Sequence, residues 1–146
     1  GASKNVIAIA AGVLDGLDLG DNAKAALVSR GLAEIVRLGV AAGARAETFY
    51  GLAGVGDLIT TCISPVGRNR SFGQHIGQGQ SAEEALSARE SVVEGVRTAR
   101  SVLTLARKLD VEMPLCQGVH DVIFDGRDPR EAISDLMARP LKSESQ

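Results

Sequence analysis

The segment KNVIAIAAGVLDGL, residues 4–17, constrains the fold more than any other part of the sequence. Its apolar residues occupy nearly every side of a helix, whereas a surface helix carries a single apolar stripe. A helix of this kind must be surrounded by other elements. The pattern therefore predicts a helix that runs through the middle of the domain.

The composition of the chain indicates that the surrounding elements are helices as well. Hydrophobic residues make up 45% of the 146 residues and aromatic residues only 3%, so the core consists of Ala, Leu, Val and Ile. A β-sandwich would draw on more aromatic residues and threonine. No segment alternates apolar and polar residues long enough to indicate a strand. These features predict one all-α, multi-helix domain over residues 1–146.

Local signals place the ends of several helices. Within the second helix, Ile35 and Leu38 keep the spacing of one apolar face, whereas Glu34 lies off that face. The signals for helix ends are a cap at Asp21 or Asn22, a stop at Gly43, a capping box of Ser81 with Glu84, an opening proline at Pro114, and a cap at Asp128 before Pro129.

The charge balance argues against several partners. A net charge of −2 lacks the basic surplus that a general nucleic-acid binder needs. No apolar run approaches the roughly 20 residues that cross a bilayer, and no signal-peptide pattern opens the chain. Cys62 and Cys116 allow one disulfide at most, and two thiols in a chain of this size favour reduced, buried cysteines. We therefore expect a cytoplasmic protein that binds neither nucleic acid nor membrane.

Some reactive residue types have plain structural interpretations here. His75 and His120 are isolated, with no ligand type at metal-binding spacing, so no metal site is predicted. Cys62 is better explained as a structural buried thiol than as a nucleophile. The acids between residues 15 and 21 are interpreted as loop and cap residues.

The stretch GLAGVGDLITTCISPVGRNR, residues 51–70, is unusual for a plain core. Glycines precede a single acid, Asp57, and a basic cluster, Arg68-Asn69-Arg70, ends the stretch. One interpretation is a glycine-punctuated helix with a solvated basic end. The other is the wall of a site for a small anion. The residues alone leave both open.

Lys4 and Asn5 are polar residues at the head of the apolar first helix. They either lie in solvent at a helix end, or Lys4 projects into a cleft that it shares with Asp57. Sequence alone does not bring Lys4 and Asp57 together, because a whole helical hairpin separates them.

Four motifs in the same order carry a family resemblance. They are Lys4-Asn5-Val6, Gly20-x-Asn22-x-Lys24-Ala25-Ala26-Leu27, Gly54-x-Gly56-Asp57-Leu58 and Arg68-Asn69-Arg70. With them, the chain resembles the carboxy-terminal domain of the NAD(P)-dependent sn-glycerol-3-phosphate dehydrogenases, from Lys4 to about Leu136. The resemblance implies a helical fold like that of the 6-phosphogluconate dehydrogenase carboxy-terminal domain.

The resemblance also implies an enzyme that interconverts dihydroxyacetone phosphate and sn-glycerol 3-phosphate for phospholipid synthesis. In this family a Rossmann domain binds most of the NAD or NADP, and no strand–GxGxxG–helix unit occurs in this sequence. This chain alone is therefore expected to be inactive, with its Rossmann domain as partner. The choice between NAD and NADP stays open, as does the oligomeric state, for which a homodimer is one alternative.

Matching the family motifs residue by residue assigns the site. Lys4 matches the acid/base lysine, Asp57 the acidic substrate-site residue, and Arg68 with Asn69 the phosphate-binding pair. The resemblance implies that the substrate-binding residues are Lys4, Asn5, Asp57, Thr61, Gly67, Arg68 and Asn69, and that Arg68, Val92 and Glu94 touch the cofactor. Many relatives carry a serine where this chain has Gly67, so only a backbone N–H could contact phosphate there.

Two other functions compete with this interpretation. The chain could be a helical substrate or dimerisation module of another Rossmann-linked hydroxy-acid or sugar-phosphate dehydrogenase. It could also be a free-standing helical interaction protein. The Arg68-Asn69-Arg70 cluster after Gly-x-Gly-Asp favours the phosphate-binding domain, because an oligomerisation helix has no need for an anion-binding fork.

Overall fold

The computed structural model describes residues 3–45, 47, 52–63, 67–87 and 93–140. Within these residues the chain forms helices and no strand, which confirms the all-α prediction. The helices are α1 (Ser3–Gly16), α2 (Gly20–Ala41), α3 (Leu52–Ile63), α4 (Arg68–Gly77), α5 (Ala82–Ser87), α6 (Glu94–Lys108), α7 (Pro114–Phe124) and α8 (Pro129–Ala138). No helix of the described part is both long and apolar enough to cross a membrane.

Helix α1 lies at the centre of the domain. Residues 6–14 are all buried, and α1 contacts α2, α3, α4, α6 and α7. A helix with apolar residues on every side satisfies them only when neighbours cover every side. The prediction of a central first helix is therefore confirmed.

Helices α1 and α4 pack with their backbones in contact. A methyl group added to Gly12 of α1 would overlap the carbonyl oxygen of Arg70 on α4. Reciprocally, a methyl group added to Gly73 of α4 would overlap the carbonyl oxygen of Ile9. Only glycine allows two helices to approach this closely, because any side chain would hold the backbones apart.

The same arrangement repeats one turn further along both helices. Gly16 faces the carbonyl oxygen of Gln74, and Gly77 faces the carbonyl oxygen of Val13. Because the contacts move towards later residues on both helices together, α1 and α4 run in the same direction. Their N-termini therefore lie at the same end of the domain.

Several helix ends agree with the sequence signals. The Ser81 hydroxyl accepts from the Glu84 backbone N–H at 3.1 Å, and the Glu84 carboxylate accepts from the Ser81 N–H at 3.4 Å. This reciprocal pair is the predicted capping box. Pro114 opens α7, and Gly43 follows the end of α2 with a φ of +102°, a left-handed conformation that glycine adopts without strain.

Two predicted caps differ from the structure. Helix α2 begins earlier than expected: its N-cap is Leu19, and Asp21 already lies in the first turn, so the predicted cap at Asp21 or Asn22 is wrong. Asp128 does occupy the N-cap of α8 with Pro129 behind it, but its side chain makes no capping hydrogen bond.

Glu34 is a buried charged residue that sequence reasoning left outside the apolar face of α2. It is only 3% exposed. Its carboxylate accepts hydrogen bonds from the backbone N–H groups of Leu115 at 2.6 Å and Cys116 at 3.3 Å, at the start of α7. The side chain thus supplies acceptors for N–H groups that have no partner within their own helix. This capping contact between distant segments explains the burial.

The burial of Glu34 should make stability depend on pH. Desolvation raises the pKa of Glu34 from 4.5 to about 7, against the opposing effect of the two backbone N–H donors. Between these values the folded state holds a proton that the unfolded state has released. The contribution of Glu34 to stability is therefore full below pH 4.5 and is lost as the pH rises through 7, by about 3 kcal/mol.

We expect Glu34→Gln to flatten the pH dependence of stability between pH 5 and 7.5, because glutamine does not titrate. The measurement is the free energy of unfolding in urea at several pH values for both proteins. Glu83→Gln, a change at an exposed glutamate of α5, is the matched control and should keep the original slope. Equal slopes for Glu34→Gln and the unmodified protein would contradict the raised pKa.

Candidate active site

Lys4 and Asp57 form an ion pair between the first turn of α1 and the middle of α3. The Lys4 Nζ donates to Asp57 Oδ2 although 53 positions separate them in the sequence. The Lys4 side chain is 27% exposed and that of Asp57 is 53% exposed, so both groups remain accessible to a small molecule. The structure thus brings Lys4 and Asp57 together, as the second interpretation requires.

Asn5 and Thr61 flank this ion pair. Asn5 follows Lys4 on α1 and is half-buried. Thr61 lies one turn after Asp57 on α3, and its hydroxyl donates to the Asp57 backbone carbonyl at 2.7 Å. The oxygen of Thr61 can still accept a hydrogen bond from a ligand, since its proton is directed back into the helix.

The glycines before Asp57 do not interrupt the helix that carries it. Gly54 and Gly56 both lie within the continuous helix α3. A methyl group on Gly56 would meet no heavy atom within 4 Å. Gly56 thus leaves open space one residue before Asp57. Gly51 lies outside the described residues.

Helix α4 presents an uncapped N-terminus at the same end of the domain. Gly67 is its N-cap in an extended conformation, and no side chain caps the first turn. The first backbone N–H groups of such a helix have no partner within it, and they attract anions. Arg68 is exposed beside them, and no described carboxylate pairs with it.

Arg70 does not belong to this anion-binding group. Its guanidinium lies 2.8 Å from Asp15 Oδ2, and Lys24 contacts the same carboxylate oxygen at 2.8 Å. Asp15 therefore connects α1, α2 and α4 in a partly buried cluster, and its interpretation as a loop or cap residue is wrong. Of the basic cluster in the sequence, only Arg68 faces solvent with its charge unpaired by described residues.

Asn69 joins α4 to the start of α6. Its side-chain Oδ1 accepts from the backbone N–H of Gly95 at 2.8 Å. Glu94, the residue before Gly95, is exposed at the first position of α6. Val92, the other residue expected to touch the cofactor, lies outside the described residues. The N-terminus of α6 is thus held against the phosphate-binding candidates.

The arrangement places the N-termini of α1, α4 and α6 at one end of the domain. Each N-terminus carries a partial positive charge from its aligned peptide dipoles, and Arg68 and Lys4 add full charges. A small anion would be attracted to this end, while Asp57 offers a hydrogen-bond acceptor beside the lysine. The geometry therefore suits a small ligand with both an anionic group and a polar group that exchanges a proton.

The two cysteines have no part in this chemistry. Both are free and fully buried. Burial raises the pKa of Cys62 to about 11, and burial together with Glu34 raises that of Cys116 well above its ordinary value. A thiol that stays protonated is a poor nucleophile. The prediction of reduced, structural cysteines is confirmed.

The prediction that His120 has no potential ligand nearby is wrong. His120 Nδ1 lies 3.1 Å from Asp121 Oδ1, and ligand atoms of His120, Asp121 and Asp125 lie within 4.8 Å of one another. The end of α7 brings these neighbours in sequence together. Asp121 also accepts from Gln117 at 2.9 Å, and protein hydrogen bonds already account for the position of its carboxylate.

Sequence reasoning missed Gly95. A methyl group there would approach Ile9 Cδ1 at 2.6 Å, Asn69 Oδ1 at 2.7 Å and the Asn5 carbonyl oxygen at 2.8 Å. The available signal was a glycine within a segment of otherwise helical pattern, where it lowers helix stability and therefore calls for a packing reason.

Comparison with known proteins gives one consistent family. Residues 1–134 match the family model described as NAD-dependent glycerol-3-phosphate dehydrogenase C-terminus. Glycerol-3-phosphate dehydrogenase [NAD(P)+] 2 of Salinibacter ruber is 56% identical over 144 residues, which cover 99% of this chain and 42% of that protein. A Geobacillus kaustophilus enzyme with the same dehydrogenase name is also 56% identical over 144 residues, with the same coverage.

Solved structures show the same similarity. The crystal structure of glycerol-3-phosphate dehydrogenase from Coxiella burnetii has a TM-score of 0.91 at 45% identity, over 95% of this chain and 43% of that chain. The yeast glycerol-3-phosphate dehydrogenase has a TM-score of 0.84 at 31% identity, over 95% and 41%. The chain thus spans about two-fifths of the length of the relatives that it matches.

Proposed function

The chain belongs to the family of NAD-dependent glycerol-3-phosphate dehydrogenase carboxy-terminal domains, and we propose that it supplies the substrate site of such an enzyme. The reaction would interconvert dihydroxyacetone phosphate and sn-glycerol 3-phosphate, a precursor of phospholipids. The observation that carries the proposal is the Lys4–Asp57 ion pair at the end of the domain where α1, α4 and α6 begin. That end combines a proton donor with an anion site, and this reaction requires both.

The phosphate of the substrate would bind at the N-terminus of α4. Arg68 would donate to it from an exposed guanidinium, which suits the fork geometry of a phosphate. The Asn69 carboxamide and the backbone N–H groups after Gly67 would add uncharged donors. Because Gly67 has no side chain, its contribution is limited to the backbone.

The carbonyl of the substrate would face Lys4. Reduction of a ketone places negative charge on its oxygen, and a positioned ammonium group stabilises that charge and donates the proton. Asp57 would orient Lys4 through their ion pair and accept from a substrate hydroxyl. Asn5, the neighbour of Lys4, and Thr61, one turn after Asp57, would complete the polar lining.

The chain would also form one edge of the cofactor site. NAD or NADP supplies the hydride when it is bound, mainly by a Rossmann domain that would join this domain in the enzyme. Arg68 and Glu94 are exposed, and each precedes one partner of the Asn69–Gly95 hydrogen bond in the sequence. Polar side chains at the edge of the substrate site fit contact with a nicotinamide nucleotide, and Val92 is proposed as a third contact.

The direct test is to titrate this chain with glycerol 3-phosphate and follow its amide chemical shifts. We expect shifts confined to the first turns of α1, α4 and α6 and to α3 near Asp57. The same chain should not oxidise NADH with dihydroxyacetone phosphate, because nothing then holds hydride donor and ketone at reacting distance. Shifts spread over other surfaces, or none at all, would contradict the proposed site.

Arg68→Ala should weaken binding of glycerol 3-phosphate by roughly thirtyfold or more, because a charge-assisted hydrogen bond to phosphate contributes about 2 kcal/mol. In the complete enzyme, the corresponding result is a large increase in KM for dihydroxyacetone phosphate. Arg107→Ala removes the same charge from the exposed last turn of α6 and is the matched control. Equal losses for both variants would mean that binding depends on overall charge and not on this site.

A further inference from the structure

The carboxamide of Asn69 has a defined orientation in the structure. The Gly95 backbone N–H can only donate, so the side-chain atom 2.8 Å from it must be the acceptor Oδ1. The amide NH2 of Asn69 is consequently on the other edge of the carboxamide, which is not bonded to Gly95. An asparagine without such a partner could turn its oxygen towards an anion and repel it.

The packing at Gly95 explains why this hydrogen bond can form. Gly95 is buried, and because it has no side chain, α6 can pack against both α1 and α4. A methyl group there would crowd Asn69 Oδ1, the Asn5 carbonyl oxygen and Ile9, each within 2.8 Å. Of these three, the Asn5 carbonyl belongs to the backbone of α1 and cannot move without moving the helix that carries Lys4.

We infer that Gly95 is a positioning residue for phosphate recognition. Its N–H fixes the Asn69 carboxamide so that the NH2 edge donates to the phosphate, and its missing side chain lets the N-terminus of α6 reach Asn69. The inference rests on the function proposed above and adds a residue that contacts no reacting atom. A phosphate bound to Asn69 would therefore also affect the first turn of α6, through the Asn69–Gly95 hydrogen bond.

A double-mutant cycle on this chain tests the inference. The dissociation constant for glycerol 3-phosphate is measured by amide shifts for the unmodified chain, Gly95→Ala, Asn69→Ala and the double variant. We expect each single change to weaken binding about tenfold and the double variant to bind no more weakly than Asn69→Ala. Gly118→Ala, at a helical glycine where a methyl meets no neighbour, should bind normally. If Gly95→Ala weakens binding equally in both backgrounds, Gly95 does not act through Asn69 and the inference is overturned.

A second measurement remains decisive if Gly95→Ala fails to fold. In the unmodified chain, the Gly95 amide resonance should shift together with the Asn69 NH2 resonances as glycerol 3-phosphate is added. In Asn69→Ala, the Gly95 shift should largely disappear. A Gly95 resonance that stays fixed while Asn69 NH2 responds would overturn the inference but leave the proposed function intact. If neither Asn69 nor Arg68 responds, the proposed function itself fails and the inference fails with it.

Asn69→Asp tests the orientation of the carboxamide directly. Aspartate keeps the acceptor for the Gly95 N–H but places a charged oxygen where the NH2 edge lies. We expect this variant to bind glycerol 3-phosphate at least tenfold more weakly than Asn69→Ala, since like charges repel. Binding equal to or tighter than that of Asn69→Ala would show that the NH2 edge does not face the phosphate.

Discussion

Lys4→Ala should lower the kcat of the complete dehydrogenase by roughly a hundredfold or more, with a smaller effect on KM. The reason is that Lys4 is proposed to act on charge that develops only as hydride arrives at the ketone, so it stabilises the transition state more than the bound substrate. The ion pair with Asp57 holds the ammonium group in place before the substrate binds. The measurement is steady-state kinetics with dihydroxyacetone phosphate at saturating cofactor.

Lys4→Arg tests whether Lys4 acts by donating a proton or only by its positive charge. Arginine keeps the positive charge and can still pair with Asp57, but its guanidinium stays protonated and cannot exchange the proton at neutral pH. We therefore expect no recovery of kcat. Lys108→Ala, which removes an exposed lysine from the last turn of α6, is the matched control and should be fully active. A near-normal kcat with a raised KM for Lys4→Ala would make Lys4 an anion-binding residue and not a proton donor.

The local parts of the fold were predictable because their causes are local. The apolar run of residues 4–17 permits only a surrounded helix, and the structure has it at the centre. The capping box of Ser81 with Glu84 and the opening proline at Pro114 each depend on a few adjacent residues. Such local signals predict helix ends independently of how the rest of the chain packs.

Long-range partners were not predictable from the residues. In the sequence, Glu34 looks like a surface residue of α2. Its carboxylate accepts from N–H groups 81 and 82 positions away, and the sequence does not show that these groups lie next to it. Asp15 resembles a loop acid until Lys24 and Arg70 are placed beside it. A single sequence states which groups need partners but not which partners the packing brings to them.

The candidate site also contains contacts that could be predicted and contacts that could not. The pairing of Lys4 with Asp57 followed from the resemblance to a known family, and the residues alone left it open. The Asn69–Gly95 hydrogen bond followed from neither, since it depends on the close approach of α4 and α6. The resemblance implies which residues would touch the substrate, whereas the hydrogen bond from Gly95 to one of them is visible only in the structure.

Gly73→Ala should be among the most destabilising additions of a single methyl group to the described part of the chain, together with the reciprocal change at Gly12. In most helices, alanine in place of glycine stabilises by up to about 1 kcal/mol. Here the methyl would overlap the Ile9 carbonyl oxygen of α1, and neither backbone can move without separating the two helices. We expect a loss of about 3 kcal/mol or more, and a decrease in Tm of about 10 °C.

Gly118→Ala is the control for this change, because its added methyl meets no heavy atom within 4 Å. It should leave the free energy of unfolding unchanged or raise it slightly. If Gly73→Ala is equally harmless, α1 and α4 are not in backbone contact.

If Gly73→Ala is destabilising, the fraction that remains folded should also bind glycerol 3-phosphate less well, since α1 carries Lys4 and α4 carries Arg68. The close approach that stabilises the core would then also set the distance between the proton donor and the phosphate-binding group.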